Sequence, residues 1–167
     1  MRRATQTAAD RAYVAFVESA WTRHLRLAVL LTGDRWRGEE LLQDTLVNIY
    51  ARWRRLARHD DLHAYLRRAM VNNNTSLWRR RRRERLVAEV PDHPARTEGR
   101  HPDSADLRAA LLALSPKQRA VVVLRHYEDL PEKEIARLLG CTVGSVKSHH
   151  ARAIARLRTL VREPSGL

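Results

Sequence analysis

The sequence predicts an all-α protein of two small helical domains joined by a short linker. Three observations carry that prediction. Apolar residues recur at helical rather than strand spacing along most of the chain. Helix stop and start signals punctuate it at Gly140, Thr142 and Ser115. Between residues 88 and 104 the periodicity lapses, and Pro91, Pro94 and Pro102 fall there with a single glycine. The expected organisation is therefore a helical unit over 1–87, a linker over 88–104 and a second helical unit over 105–167.

In chain order, the expected helices are residues 12–31, 37–53, 61–83, 106–113, 116–126, 131–139 and 143–161. On 37–53, Leu41, Leu42, Thr45, Leu46, Ile49 and Trp53 form the buried face. A second line on that helix, Glu40, Gln43, Asp44, Val47 and Ala51, is acidic and amide-bearing with an apolar valine. Such a line on a basic chain fits a docking surface for another protein; a plain solvated face is the alternative.

Helix 61–83 turns Leu62, Tyr65, Leu66, Ala69, Met70 and Leu77 inward, with Asn73 among them. An asparagine on a buried face implies an internal hydrogen bond. The other face carries Arg67, Arg68, Val71, Asn74, Thr75, Trp78 and Arg82, followed by the arginine run from Arg79 to Arg83. Cations beside an aromatic ring and amides suit single-stranded nucleic acid, whose bases stack on rings while guanidinium groups track phosphate.

Ser115-Pro116-Lys117-Gln118 is a capping box with proline at the first helical position. Asp129 and Glu132 offer a second, similar start, though Pro131 could take more than one slot there. Ile135, Leu138 and Leu139 share one face of the following helix, which Gly140 is placed to end in a left-handed conformation. Thr142 can then cap the next helix. Two helices joined so tightly form a helix-turn-helix, whose second helix enters the major groove.

On that second helix, Val143, Val146, His150, Ala153, Ile154, Leu157 and Val161 fall on the inner face. Ser145, His149, Arg152 and Arg156 form an outer stripe with Ser148 beside it, the hydroxyls and cations that reach base edges and phosphates. Lys147 stands off the stripe and is assigned to a phosphate. A solvated face is again the plain alternative. His149 and His150 point about 100° apart and cannot chelate one ion from a helix, so no metal and no cofactor is expected.

Composition supports a polyanionic partner. The chain of 167 residues carries 32 lysines and arginines against 19 acids, a formal charge of +13. Residues 1–87 hold 19 cations and 9 acids, the linker 2 and 4, and residues 105–167 hold 11 and 6, so both flanking units are basic while the tether is not. A lone cysteine, Cys141, cannot form an internal disulfide and fits a reducing cytoplasm. No run approaches the roughly 18 apolar residues of a membrane span, so no membrane insertion is expected. No nucleophile–base pair, phosphate loop or metal cluster marks the chain as an enzyme.

These residues together resemble bacterial sigma factors of the extracytoplasmic-function (ECF) group, the short two-domain members of the housekeeping sigma superfamily. Glu39-Glu40-Leu41-Leu42-Gln43-Asp44-Thr45 is similar to the region-two helix that grips the polymerase clamp. Ala64-Tyr65-Leu66-Arg67-Arg68-Ala69 through Asn73 and the arginine run resemble the segment that melts and reads the minus-ten element. Leu114 to Val121, then Tyr127-Glu128-Asp129-Leu130, is similar to the start of region four, and Ser145-Val146-Lys147-Ser148 to the helix that reads the minus-thirty-five element. Pro131 and His150 depart from the family pattern.

The resemblance implies a non-enzymatic subunit that gives RNA polymerase core its promoter choice. It implies clamp docking through Glu40, Gln43, Asp44 and Val47, and capture of unpaired bases by Arg58, His59, Arg67, Asn74, Thr75, Trp78, Arg79 and Arg82. Region four would dock on the flap and read duplex with Ser145, Lys147, Ser148, His149, Arg152 and Arg156. Its partners would be core polymerase, promoter DNA and an anti-sigma factor, should one exist. A stand-alone helix-turn-helix regulator and a basic RNA-associated protein are the alternatives.

Overall fold

A computed structural model describes residues 2–87 and 102–162, with side chains over 7–87 and 105–160. The first half contains α1 (Arg2–Thr32), α2 (Arg35–Tyr50), the single turn α3 (Trp53–Leu56) and α4 (Leu62–Val87). The second contains α5 (Pro102–Leu112), α6 (Pro116–His126), α7 (Glu132–Leu139) and α8 (Val143–Arg162). Every element of the described residues is helical, as the periodicity predicts.

Helix α1 begins ten residues before the expected start. Part of the reason is tertiary: the indole N–H of Trp53 donates to Ala9 O at 3.0 Å and the Tyr50 hydroxyl donates to Asp10 at 3.2 Å, so α2 and α3 hold the helix at Ala9 and Asp10, ahead of the expected start. Asp34 caps α2 by accepting from the Arg37 N–H at 3.0 Å. Helix α2 stops at Tyr50 and not at Trp53, because the chain breaks at Arg52 to seat Trp53 on Phe16 (ring centroids 5.6 Å apart). The inward set Leu41, Leu42, Thr45, Leu46, Ile49 and Trp53 is buried throughout.

On α4 the inward set holds at Leu66 and Met70, and Asn73 donates to Thr45 Oγ1 at 3.0 Å, the internal bond expected of it. Val71 departs from expectation: placed on the outer face by the helical wheel, it is buried, because α6 and α7 pack against α4 on that side.

Residues 88–101 of the expected linker lie outside the described residues, and its last three, 102–104, belong to α5. Proline tolerates the first helical position because its missing N–H has no intrahelical acceptor there. The capping box at Ser115 forms in both directions, at 3.3 Å each way. Pro131, not Asp129, occupies the N-cap of α7 without a side-chain bond, and Asp129 takes a positive φ of 53° in the turn before it. Gly140 closes α7 at φ 64°, and the Cys141 N–H returns to Ala136 O at 3.0 Å. Thr142 Oγ1 accepts from the Ser145 N–H at 3.1 Å and caps α8 as its sequence position predicts.

The two halves also pack on one another, with α1 against α5 and α6, and α4 against α6 and α7. One buried cluster runs from Phe16 and Leu31 in α1 through Leu111, Val121 and Leu124 to Ile135 and Val146. Arg119 lies inside this junction, 9% exposed.

Candidate nucleic-acid and polymerase interfaces

The two helices of the helix-turn-helix are packed on buried side chains. Ile135, Ala136 and Leu138 of α7 and Val146 and Ala153 of α8 are buried, which fixes the angle at which α8 leaves the body. Ser148, Lys147, Arg152 and Arg156 stand exposed along α8, and Ser145 is half-buried with its hydroxyl 3.0 Å from Thr142 Oγ1. Lys147 Nζ lies 3.9 Å from Glu132, a loose exposed pair that a phosphate can displace.

His149 sits differently from the rest of its stripe. It is half-buried, and its Nδ1 is enclosed without a hydrogen-bond partner. Burial first, then the nearby cations Lys117 and Arg152, hold its imidazole below the ordinary histidine range, which favours the neutral ring. His150, expected on the inner face, is half-buried with its Nε2 2.9 Å from His126 Nε2 and the two rings stacked.

The α4 face divides along its length. Trp78 is half-buried, with the Arg82 guanidinium 5.5 Å from its ring centroid, and Arg79 projects into solvent beside them. Asn74 and Thr75 are half-buried, the Thr75 hydroxyl bonding back to Val71 O at 3.1 Å. Arg58 and His59 lie on the exposed turn before α4, where His59 Nδ1 accepts from the Asp61 N–H at 3.3 Å and its ring meets Tyr65.

Arg67 corrects the reading from spacing alone. It does not project freely with the others: its Nη1 lies 2.8 Å from Glu128 Oε2, and the two side chains are 23% and 17% exposed. The pairing joins α4 to the turn after α6, a partner 61 residues away that no local pattern reveals.

On α2, Gln43, Asp44 and Val47 form an exposed strip, with Val47 65% exposed. Glu40, the first member of that line, is half-buried and bonded to Arg81 at 3.3 Å. A second basic groove, which helical spacing does not single out, runs between the start of α1 and α3. Arg52, Arg54, Arg55 and Arg58 border it with Tyr50 and Trp53. The one sequence signal for it is the arginine density of residues 52–58. Among the described residues no group of three or more histidine, cysteine or acidic side chains could hold a metal ion, and no helix is long and apolar enough to cross a membrane.

A helix-turn-helix with a cationic outer stripe, carried beside an arginine and aromatic face on a separate helix, defines a DNA-directed protein of transcription. Comparison with known proteins makes the class specific. The family described as Sigma-70, region 4 matches residues 104–157. The RNA polymerase sigma-E factor of Streptomyces antibioticus is 44% identical over 138 residues, covering 80% of this chain and 76% of that protein. The ECF RNA polymerase sigma factor SigE of Mycolicibacterium smegmatis is 33% identical over 152 residues, 86% of this chain and 59% of its own length. Among solved structures, the sigma factor RpoE of Bartonella quintana, in complex with the anti-sigma factor NepR, aligns with a TM-score of 0.68 at 27% identity, over 90% of this chain and 96% of that one. The chain belongs to the RNA polymerase sigma factors of the extracytoplasmic-function group, and the stand-alone regulator is not favoured.

Proposed function

We propose that this sigma factor works through two separate DNA contacts assembled on core polymerase: a unit of residues 1–87 at the minus-ten element, a linker over 88–104, and a unit of residues 105–167 at the minus-thirty-five element. The single observation that carries this reading is the exposed cationic stripe of α8 on a helix-turn-helix whose inner face is buried. Ser145, Lys147, Ser148, His149, Arg152 and Arg156 read or grip upstream duplex, the long cations reaching phosphates and the small hydroxyls base edges.

In the first unit, Trp78 offers a stacking ring beside the Arg82 guanidinium, with exposed Arg79 for phosphate, while Asn74 and Thr75 supply polar edges for an unpaired base. Arg58, His59 and Arg67 complete this single-strand surface. Capture of extruded bases stabilises the open duplex, so melting draws on binding energy and needs no nucleotide hydrolysis. The exposed strip Gln43, Asp44 and Val47, with Glu40 at its end, docks on the polymerase clamp, and the second unit docks on the flap. Val47 supports this most directly, since an exposed valine between acidic and amide neighbours is what a partner surface looks like. The protein acts where polymerase acts, in the cytoplasm. Because its solved relative from Bartonella quintana is held by an anti-sigma factor, a protein of that kind is a partner proposed for this chain too.

Run-off transcription with purified core polymerase and a library of genomic promoters tests the reading. Initiation at a discrete set of sites is expected, with no appreciable promoter binding by the chain without core. Failure to direct initiation anywhere in that library would overturn it.

A further inference from the structure

Helical spacing excludes His149 and His150 as a chelating pair, but the fold brings His150 a different partner. His126 ends α6, and its Nε2 lies 2.9 Å from the Nε2 of His150 on α8. The ring centroids are 5.2 Å apart with the planes 27° from parallel, so the rings converge toward their Nε2 edges. Helices α6 and α8 pack against each other, and Val146 and Ala153, about one turn to either side of His150, are buried. The backbone beneath the His150 ring is thus fixed before any ligand arrives, which lowers the entropy lost on binding. His126 is exposed and His150 half-buried, so small ions reach the pair from solvent.

Two neutral imidazoles this close make one hydrogen bond, for which one Nε2 carries a proton and the other a lone pair. The same spacing suits an ion. Nitrogens bound about 2.05 Å from one metal lie about 2.9 Å apart at a right angle and about 3.3 Å apart at the tetrahedral angle. Moving the proton from Nε2 to Nδ1 of the same ring, the other neutral tautomer, leaves both Nε2 lone pairs available to the ion. Burial first, then His126 and Arg125, hold the His150 imidazole below the ordinary histidine range against the opposing pull of Glu132, which favours the neutral, ligating ring. That Glu132 carboxylate is only loosely held by Lys147, at 3.9 Å, and gives the gap a negative neighbour. The other histidine pair, His24 with His63, is less suited to a cation. His24 is buried there, and Arg23 and Arg67 bear on it against Glu128.

We propose that His126 and His150 form a two-histidine site for a transition-metal ion, Cu2+, Ni2+ or Zn2+, with water in the remaining positions. The bound ion clasps α6 to α8 and so pins the helix that carries the outward cations. Imidazole donors select these ions over Mg2+ and Ca2+, which take oxygen ligands. The inference stands apart from the promoter contacts proposed above, because it needs no DNA.

Titration calorimetry and thermal melting of the full chain, first stripped with a chelator, test this. One ion per chain is expected to bind with a dissociation constant on the order of micromolar, Cu2+ more tightly than Ni2+ or Zn2+, and Mg2+ not at all. Saturating Zn2+ should raise the melting temperature, since unfolding separates the two rings. His126→Gln keeps a hydrogen-bonding side chain but loses the ligand nitrogen; it is expected to weaken binding at least about tenfold and to abolish the rise. His150→Gln is expected to do the same. Wild-type affinity in His126→Gln, Mg2+ bound as tightly as Cu2+, or no saturable binding below about 1 mM each overturns the proposal. Should His150→Gln fail to fold by circular dichroism, His126→Gln, at an exposed position, decides alone. Neither readout uses promoter DNA, so failure here is separable from failure of the run-off assay.

Discussion

Asn73 and Thr45 are joined across the centre of the first half by a 3.0 Å hydrogen bond from Nδ2 to Oγ1. Thr45 is fully buried and passes its own proton to Leu41 O at 2.7 Å, so its hydroxyl is satisfied twice. Asn73→Ala removes one of those partners and leaves a hole beside a buried hydroxyl. The expected cost is about 1–2 kcal/mol of stability. A double-mutant cycle with Thr45→Val, read by denaturant unfolding, should return a coupling of about 1 kcal/mol; additive losses would mean the bond contributes nothing.

Gly140 stands at φ 64° in open space, so a methyl group there meets no neighbour and only the backbone resists it. Gly140→Ala should therefore cost about 1–2 kcal/mol, the penalty of a left-handed conformation for an L residue. Thermal melting measures the loss. A stability unchanged from wild type would show that the turn between α7 and α8 relaxes instead.

Arg152 projects from α8 into solvent. Arg152→Ala is expected to weaken upstream promoter binding by about 1–3 kcal/mol and to lower the salt dependence of binding, without loss of core polymerase on co-purification. If core binding fell with it, the assignment of α8 to DNA alone would be wrong.

His24 makes stability depend on pH. It is buried, its Nε2 lies 3.0 Å from His63 Nδ1, and its own Nδ1 is enclosed without a partner. Burial, reinforced by His63 and Arg23, lowers its pKa from 6.5 to about 4. Between those values the unfolded chain takes up a proton that the folded chain refuses. Stability from this group is thus complete above about pH 6.5, falls as pH drops toward 4, and is flat below that. The full loss is up to about 3 kcal/mol. Unfolding curves at pH 7, 6 and 5 should show the decline, and His24→Gln should reduce it; equal slopes in the two proteins would remove His24 as its source.

Much of the local architecture is legible in the order of residues along the chain. The Ser115 capping box, the Gly140 stop, the Thr142 cap and the buried face of α2 all depend on residues within a few positions of each other, and each forms as its spacing requires; on α8 the inner face is fully buried at Val146 and Ala153, half-buried at Val143, His150, Ile154 and Leu157, and the Val161 side chain lies outside the described residues. The break after Tyr50 is not legible in that way. Trp53 lies in register with the apolar face of α2, yet its indole bonds Ala9 O, 44 residues away, and that distant bond ends the helix early. Val71 escapes for a related reason, since a helical wheel assigns faces relative to one neighbour and α4 has neighbours on two sides.

The candidate site divides in the same way. Chain order and residue type are enough to lay out the helix-turn-helix and its outward cations, because helical geometry alone sets which side chains share a face. Folding in three dimensions settles the rest. Arg67 meets Glu128 across 61 residues and Arg119 meets Leu31 across 88. Pairings of that kind depend on how the halves dock, and docking reflects buried area and charge summed over many residues, which no short window of sequence contains.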